Sequence, residues 1–391
     1  MWIERKLGSK LKKSVNSRPV VFLSGARQTG KSSLLKKEFP NAEYVSFDRL
    51  IHVKQATESP EYFLKNFEKQ TILDEIQYVP NLFRELKVIV DNDRNHYGKW
   101  LLSGSQQFEL SKNISESLAG RISILHLETL SAEEIRNNGS LKLENYLWLG
   151  GYPELWSNKH LNFVEFFESY MKTYVERDLR LVVDIKNLND FRRFFLILAT
   201  RAGQLLNYRD ISKELGVSDI TVKNWLTALQ ISGLIYLLPP FYENIGKRLT
   251  KTPKLYFADH GLLCHLLNIT TVEAWHNHFF KGALWENLVM MELVKSYGVT
   301  PGRELFFYRD QNGVEIDFIV SRGEKLFLIE AKAAEHYGSM KLNFSKVAPL
   351  FNAKYKVECI LAQNIMEPEV FRFKEYSAFN PIYCRHQALE S

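Results

Sequence analysis

The stretch that most constrains this chain is SGARQTGKSS, residues 24–33, set directly behind the apolar run PVVFLS. Gly25, Gly30, Lys31 and Ser32 satisfy the spacing G-x-x-x-x-G-K-[ST], and the following KSSLLKKEF reads as a helix start, so strand, loop and helix are predicted in that order. Glycines in such a loop let successive backbone N–H groups turn inward at a helix N-terminus, which makes an anion nest. Lys31 is then placed to reach the β- and γ-phosphates of a nucleotide. Ser32 offers its hydroxyl to a phosphate-bound Mg2+, a hard ion that prefers oxygen. The plainer alternative, a glycine-rich turn with an exposed Lys, is weakened by the flanking strand and helix.

Phosphate chemistry also needs an acid at the end of a neighbouring strand to hold the metal, and a base to aim the attacking water. KQTILDEIQYVP supplies both: Ile72 and Leu73 build a strand, Asp74 is the metal-side carboxylate and Glu75 the base. A third strand, KWLLSGSQQF, ends in Ser103, Gly104 and Ser105, whose hydroxyls fall beside Asp74 if the sheet is parallel and doubly wound. Ser103 is the candidate to sense the γ-phosphate. Arg121, before another strand-like run, carries a guanidinium suited to charge on a transferring phosphoryl group, with a surface ion pair as the equal alternative.

The runs GARQTGKSS, ILDEIQYVPNLFRELKVIVDND, LLSGSQQF, SLAGRI, ETLSAEEI and LGGYPE together resemble the bacterial and archaeal AAA+-type ATPases that carry a C-terminal domain of unknown function. The resemblance spans essentially the whole chain. It implies an ATP site with Mg2+, made of Gly25, Ala26, Arg27, Gln28, Thr29, Gly30, Lys31, Ser32 and Ser33 with Asp74 and Glu75. It also implies a functional role for Arg121, in its own subunit or in that of a homo-oligomer neighbour. The usual Gly-Pro-Arg opening stands here as Gly25-Ala26-Arg27.

With 391 residues the chain has room for two or three domains, and 45% hydrophobic against 25% charged residues excludes a disordered protein. No apolar run reaches the roughly 18 residues of a membrane span. The basic start MWIERKLGSKLKK lacks the apolar core of a signal peptide, so a cytoplasmic location and no membrane partner are expected. Cys264, Cys359 and Cys384 are too widely spaced for a zinc site or disulfide framework. A net charge of +6 is compatible with an anionic partner without requiring one.

The expected fold class is α/β: a P-loop ATPase with a parallel sheet over 1–140, a helical connector over 141–200, a winged helix over 201–270, and, over 271–391, the small α/β restriction-endonuclease-like domain that the family resemblance implies. GGYP is read as the turn that closes the ATPase core. Glu176, Arg177, Asp178 and Arg180 in the connector read as a salt network. In LNYRDISKELGVSDITVKNWLTALQISGLIYLL, a helix, a Gly216 turn, a Ser218 N-cap and a second helix with Ile220, Trp225, Leu226 and Leu229 inward form a helix-turn-helix. Thr221, Lys223 and Asn224 would face a DNA groove, with Lys247, Arg248 and Lys251 on a wing. A lid or protein-contact role is the equal alternative.

LFFYRDQNGVEIDFIVSRGEKLFLIEAKAA reads as strand, Asn312-Gly313 turn, strand, Arg322-Gly323 turn, strand. Alternation puts Glu330 and Lys332 on one face, within reach of Asp317 on the neighbouring strand. Two carboxylates and a backbone oxygen suit Mg2+, and a Lys can orient a hydroxide attacking phosphorus. Glu286, on a preceding helix, would be a fourth member. The pattern resembles the PD-(D/E)xK nucleases, which implies metal-dependent DNA cleavage. The residues equally allow an inert nuclease-like domain in an ATP-switched DNA- or protein-binding module. His260 and His265 lack a shared helix face and read as structural.

Overall fold

The computed structural model describes residues 1–105, 118–139, 141–175, 188–242, 251–335, 340–366 and 368–390. Packing divides the chain into two units, Trp2–Glu128 with the short stretch Ile231–Gly233, and the remainder.

In the first unit five strands run parallel in the order β2-β3-β4-β1-β5: β1 Val20–Ser24, β2 Glu43–Ser46, β3 Thr71–Asp74, β4 Trp100–Gly104 and β5 Ile122–His126. β1, β3 and β4 are buried along their whole length, which is why their sequences are unbroken apolar runs rather than alternating ones. Alternate residues still part to opposite faces: Val20, Phe22, Leu73 and Leu102 join one core, and Val21, Leu23, Ile72 and Leu101 the other. β4 lies between β1 and β3, with Leu23 in register with Ser103. The carboxyl ends of these three strands, where an open α/β sheet holds its ligands, therefore bring the glycine loop, Ser103 and Asp74 side by side.

In the second unit a six-stranded mixed sheet runs β12-β13-β11-β10-β9-β8, with β8 Leu305–Arg309, β9 Glu315–Arg322, β10 Lys325–Lys332, β11 Lys356–Gln363, β12 Phe371–Arg372 and β13 Ser377–Phe379. β8, β9 and β10 are antiparallel, and β10 and β11 are parallel. The loop between β9 and β10 is Gly323-Glu324, one residue later than expected, because the left-handed φ of +58° falls at Gly323 and Arg322 completes β9. Helix Lys281–Tyr297 packs on this sheet, with Trp285 Nε1 donating to the Ala362 carbonyl at 2.9 Å. Ahead of it come helices Leu188–Thr200, Tyr208–Leu215 and Asp219–Ile231, then an antiparallel pair, β6 Ile235–Leu238 and β7 Lys254–Phe257.

Gly150 and Gly151 lie in the second unit, which begins at Thr129, and they pack against Asp259, Gly261 and Leu130. Ile220 is misplaced by the sequence reading: it is 70% exposed. The helix starts at Asp219, and its inward stripe runs through Val222, Trp225, Leu226 and Leu229, which leaves Ile220 on the opposite face with Lys223 and Asn224. The connector salt network and the wing residues Lys247 and Arg248 lie outside the described residues.

Candidate functional site

The loop after β1 is shaped by backbone that only certain residues tolerate. Gly25 has φ +152° and Gly30 φ +91°, and a methyl on Gly25 would lie 2.4 Å from the Leu127 carbonyl oxygen. Between them Gln28 also takes a positive φ of +60°, and Thr29 Oγ1 donates to the Ala26 carbonyl at 2.9 Å. Lys31 folds back over the loop, its Nζ donating to the Gly25 carbonyl at 3.0 Å and to that of Ala26 at 2.8 Å. Burial drives the Lys31 ammonium down to about 8, against the opposing pull of Glu75 and Asp74. Arg27 reaches Tyr78, and Ser33 is exposed one position beyond Ser32.

Asp74, buried at the end of β3, accepts from the hydroxyls of Ser32 at 2.9 Å, Tyr44 at 2.6 Å, and Ser103. A hydroxyl and a carboxylate converging beside a loop of backbone donors are the hard oxygen set that Mg2+ on a phosphate uses, so this donor set fits the ion. Glu75 has φ +59°, and its Oε2 accepts from Gln77 Nε2.

Three participants escaped the sequence reading. Arg5 Nη1 donates to the Thr29 carbonyl at 2.8 Å and Nη2 to that of Glu128 at 2.6 Å, which turns the Thr29–Gly30 peptide so that its N–H faces away from Arg5. Tyr44 and Gln77 are the others. A lone Arg in a basic N-terminus, or a Tyr on an outer strand, carries no spacing signal. Arg121 stands apart from this group: it precedes β5, at the opposite rim of the sheet, and its Nε and Nη2 grip Asp91 at 2.6 and 3.0 Å.

In the second unit, Lys332 Nζ lies 2.9 Å from Glu330 Oε2 and 3.6 Å from Asp317 Oδ2. Glu330 is 2% exposed, and burial raises its carboxyl above the usual range. Burial works against the Lys332 charge, yet Asp317 and Glu330 outweigh it and hold the ammonium above its ordinary value. Asp317 Oδ2 also accepts from the Ala331 N–H at 2.8 Å, and Glu330 from the Asn343 N–H. Lys341 and Lys346 line the same cleft of about 350 Å³. Two carboxylates suit a divalent cation, but among the described residues no group of three or more His, Cys, Asp or Glu converges on one point.

Glu286 has partners of its own and also feels the charge of Asp317. It accepts from Lys254 Nζ at 2.9 Å and from Tyr256 OH at 2.6 Å, while Lys254 also meets Glu315 Oε1 at 2.5 Å. Burial raises the Glu286 carboxyl; Lys254 pulls the other way. His260 is buried against the Tyr146 carbonyl and driven down to about 4 by burial, and His265 stacks on Phe167. On helix Asp219–Ile231, Lys223 and Asn224 are exposed, whereas Thr221 is tied into the N-cap at Ser218, its N–H donating to Ser218 Oγ at 3.1 Å.

Residues 17–136 match the family described as AAA domain. Residues 140–273 and 281–362 match two families described as domains of unknown function, DUF8612 and DUF4143. Over 338 residues the chain is 31% identical to Uncharacterized protein Rv2008c of Mycobacterium tuberculosis, spanning 85% of this chain and 74% of that one; Mb2031c of Mycobacterium bovis gives the same figures. The chain belongs to the family of these mycobacterial proteins. The AAA-domain match falls on the first unit and the start of the second, and it encloses all five strands of the parallel sheet and the loop at Gly25–Ser32. Among solved structures the chain is similar to the Walker-type ATPase PABY2304 of Pyrococcus abyssi, with 20% identity and a TM-score of 0.40 over 68% of this chain and 96% of that one. The RuvB Holliday junction branch migration motor of Thermotoga maritima gives 16% identity and 0.33 over 61% and 90%. Among the described residues no helix is long and apolar enough to cross a membrane.

Proposed function

We propose that the protein binds ATP with Mg2+ at the phosphate loop, hydrolyses it, and uses the cycle to control engagement of DNA by its second unit. The observation that carries the reading is Asp74 receiving Ser32 and Ser103 at the mouth of the loop that holds Lys31. Lys31 exchanges its two loop carbonyls for the β- and γ-phosphates, while the N–H groups of residues 25–30 cradle them. Ser32 and Asp74 hold the magnesium, which when bound screens the phosphate oxygens. Glu75 takes the proton of the attacking water and Ser103 sits against the γ-phosphate. Arg121, turned to Asp91 on the far rim, serves the site of a neighbouring copy in a homo-oligomer rather than its own. Lys31→Ala is expected to weaken ATP binding by at least about 100-fold, read by calorimetry, and tight binding by that variant removes the phosphate-loop assignment.

For the second unit, helix Tyr208–Leu215, the left-handed Gly216, helix Asp219–Ile231 and the β6–β7 pair support a winged helix, with Lys223 and Asn224 toward nucleic acid and Lys251 near the wing. The sheet carrying Asp317, Glu330 and Lys332 supports a restriction-endonuclease-like fold with metal-dependent phosphodiester cleavage, and a cytoplasmic location accords with both. One observation favours a second reading, an ATP-switched DNA- or protein-binding module without cleavage: Lys332 lies between both carboxylates and Glu286 is committed to Lys254 and Tyr256. A time course on end-labelled linear, circular and single-stranded DNA with Mg2+ or Mn2+, with and without ATP, decides between them. Cleavage lost in Asp317→Ala establishes the nuclease; no cleavage with ATP turnover stimulated by DNA establishes the binding module.

A further inference from the structure

We infer that Gln77 is the positioning residue that fixes the Glu75 carboxylate for water activation, an inference that rests on Glu75 being the base of the proposed ATPase. Four features converge on it. Gln77 Nε2 donates to Glu75 Oε2, which occupies one carboxylate oxygen and leaves the other to receive a proton. Gln77 Oε1 is buried without a hydrogen-bond partner, a desolvation that costs free energy and persists where something else fixes the amide. The opposite amide orientation would set the Gln77 oxygen against the Glu75 carboxylate, so electrostatics select the observed one.

Space is made for this amide by Gly104, where a methyl would lie 2.6 Å from Gln77 Oε1. Gly104 follows Ser103, the residue that bonds Asp74, so the end of β4 holds both acids: Asp74 through a hydroxyl and Glu75 through the room it leaves for Gln77. Glu75 itself needs an external hold. Its φ of +59° is a left-handed conformation that costs a non-glycine residue about 1 kcal/mol and places the side chain differently from an ordinary strand end. A base oriented by a third group is a recurring arrangement in general-base catalysis. In the hydrolytic step the water oxygen bonds to the γ-phosphorus as the bond to the β-bridging oxygen breaks. The water proton passes to the free oxygen of Glu75, and ADP leaves with the bridging oxygen.

The test uses the full chain and four variants, each checked for a parent-like melting transition: Gln77→Met, Gln77→Glu, Gly104→Ala and Glu75→Gln. Gln77→Met keeps the volume and removes the donor; it is expected to lower kcat about 10- to 100-fold with the Kd of a non-hydrolysable ATP analogue within about twofold. Gln77→Glu, which sets a second carboxylate against that of Glu75, is expected to lower kcat further with analogue binding again near the parent value. Gly104→Ala reproduces the kcat loss with Gln77 intact, by displacing the amide. A merely structural Gln77 would change melting and would not lower kcat at an unchanged analogue Kd. Parent kcat in Gln77→Met overturns the inference even if Glu75→Gln is inactive. Parent kcat in Glu75→Gln overturns instead the assignment of the base on which it rests.

Discussion

Lys31 is the residue whose electrostatics most directly set how the loop meets a ligand. Its ammonium donates to two loop carbonyls, and burial outweighs the pull of Glu75 and Asp74 to hold it near 8 rather than the ordinary 10.5. A polyphosphate favours the charged form, so the bound state holds its proton to higher pH than the free state. The sign follows: below about 8 the amine is charged in both states and affinity is flat, and above it binding must take up a proton. Affinity for a non-hydrolysable ATP analogue is therefore expected to fall as pH rises through 8 toward 9, approaching tenfold per unit, with proton uptake visible in calorimetry across buffers of different ionisation enthalpy. Constant affinity over that interval would remove Lys31 from the phosphate contact. Tyr44 works on the opposite side of the same site. Its hydroxyl is held above the ordinary range by burial and by Asp74, so it donates to that carboxylate and keeps it aimed at Ser32.

At the scale of elements, the glycine pairs act where segments cross. Gly150 has φ +74°, and a methyl there would lie 2.1 Å from Asp259 Oδ1; a methyl on Gly261 would lie 2.3 Å from the Leu149 carbonyl oxygen. Asp259 uses this closeness, accepting from Thr129 Oγ1 at 2.6 Å and from the N–H groups of Gly151 and Gly261, each at 2.9 Å. Gly261→Ala is expected to destabilise by about 1–3 kcal/mol through overpacking, read by denaturant unfolding. Gly282→Ala, in open space on helix Lys281–Tyr297, is expected to stabilise by about 0.5–1 kcal/mol instead. Equal effects at the two positions would refute the packing account. The same comparison marks where sequence reading succeeds. The loop at Gly25–Ser32, β3 with its acids and the β9–β10 pairing follow local rules of period and spacing, so they are legible. GGYP obeys a turn rule too, but its glycines answer to a helix more than a hundred residues later; Arg5 and Asn343 enter through contacts distant in sequence, and Gln77, though only two residues from Glu75, has its room made by Gly104 on β4.

At the scale of the whole chain, the expected division at residue 270 meets a single packed unit running from Thr129 onward, interrupted only by Ile231–Gly233. Charge is one reason a cut there would be costly. Lys254, on β7, is 2% exposed and answers two carboxylates from beyond the cut, Glu286 on helix Lys281–Tyr297 and Glu315 on β9. Burial works against its ammonium, but Glu286, Asp317 and Glu315 hold it above the ordinary range, so the cation is retained because those acids surround it. A fragment beginning at residue 271 strips Glu286 of both Lys254 and Tyr256 and is expected to lack a cooperative transition. Within the full chain, Lys254→Met leaves the Glu286 carboxylate buried and uncompensated, which costs about 3–5 kcal/mol. Glu286→Gln keeps an acceptor for Tyr256 and lightens that burden, so Lys254→Met combined with Glu286→Gln is expected to be less destabilised than the sum of the singles, by a coupling of about 1–3 kcal/mol. Glu315 retains Arg309 at 3.1 Å in either background. Additive singles in denaturant unfolding would mean that the Lys254–Glu286 pair adds nothing to the hydrogen bonds and packing that join β7 to helix Lys281–Tyr297.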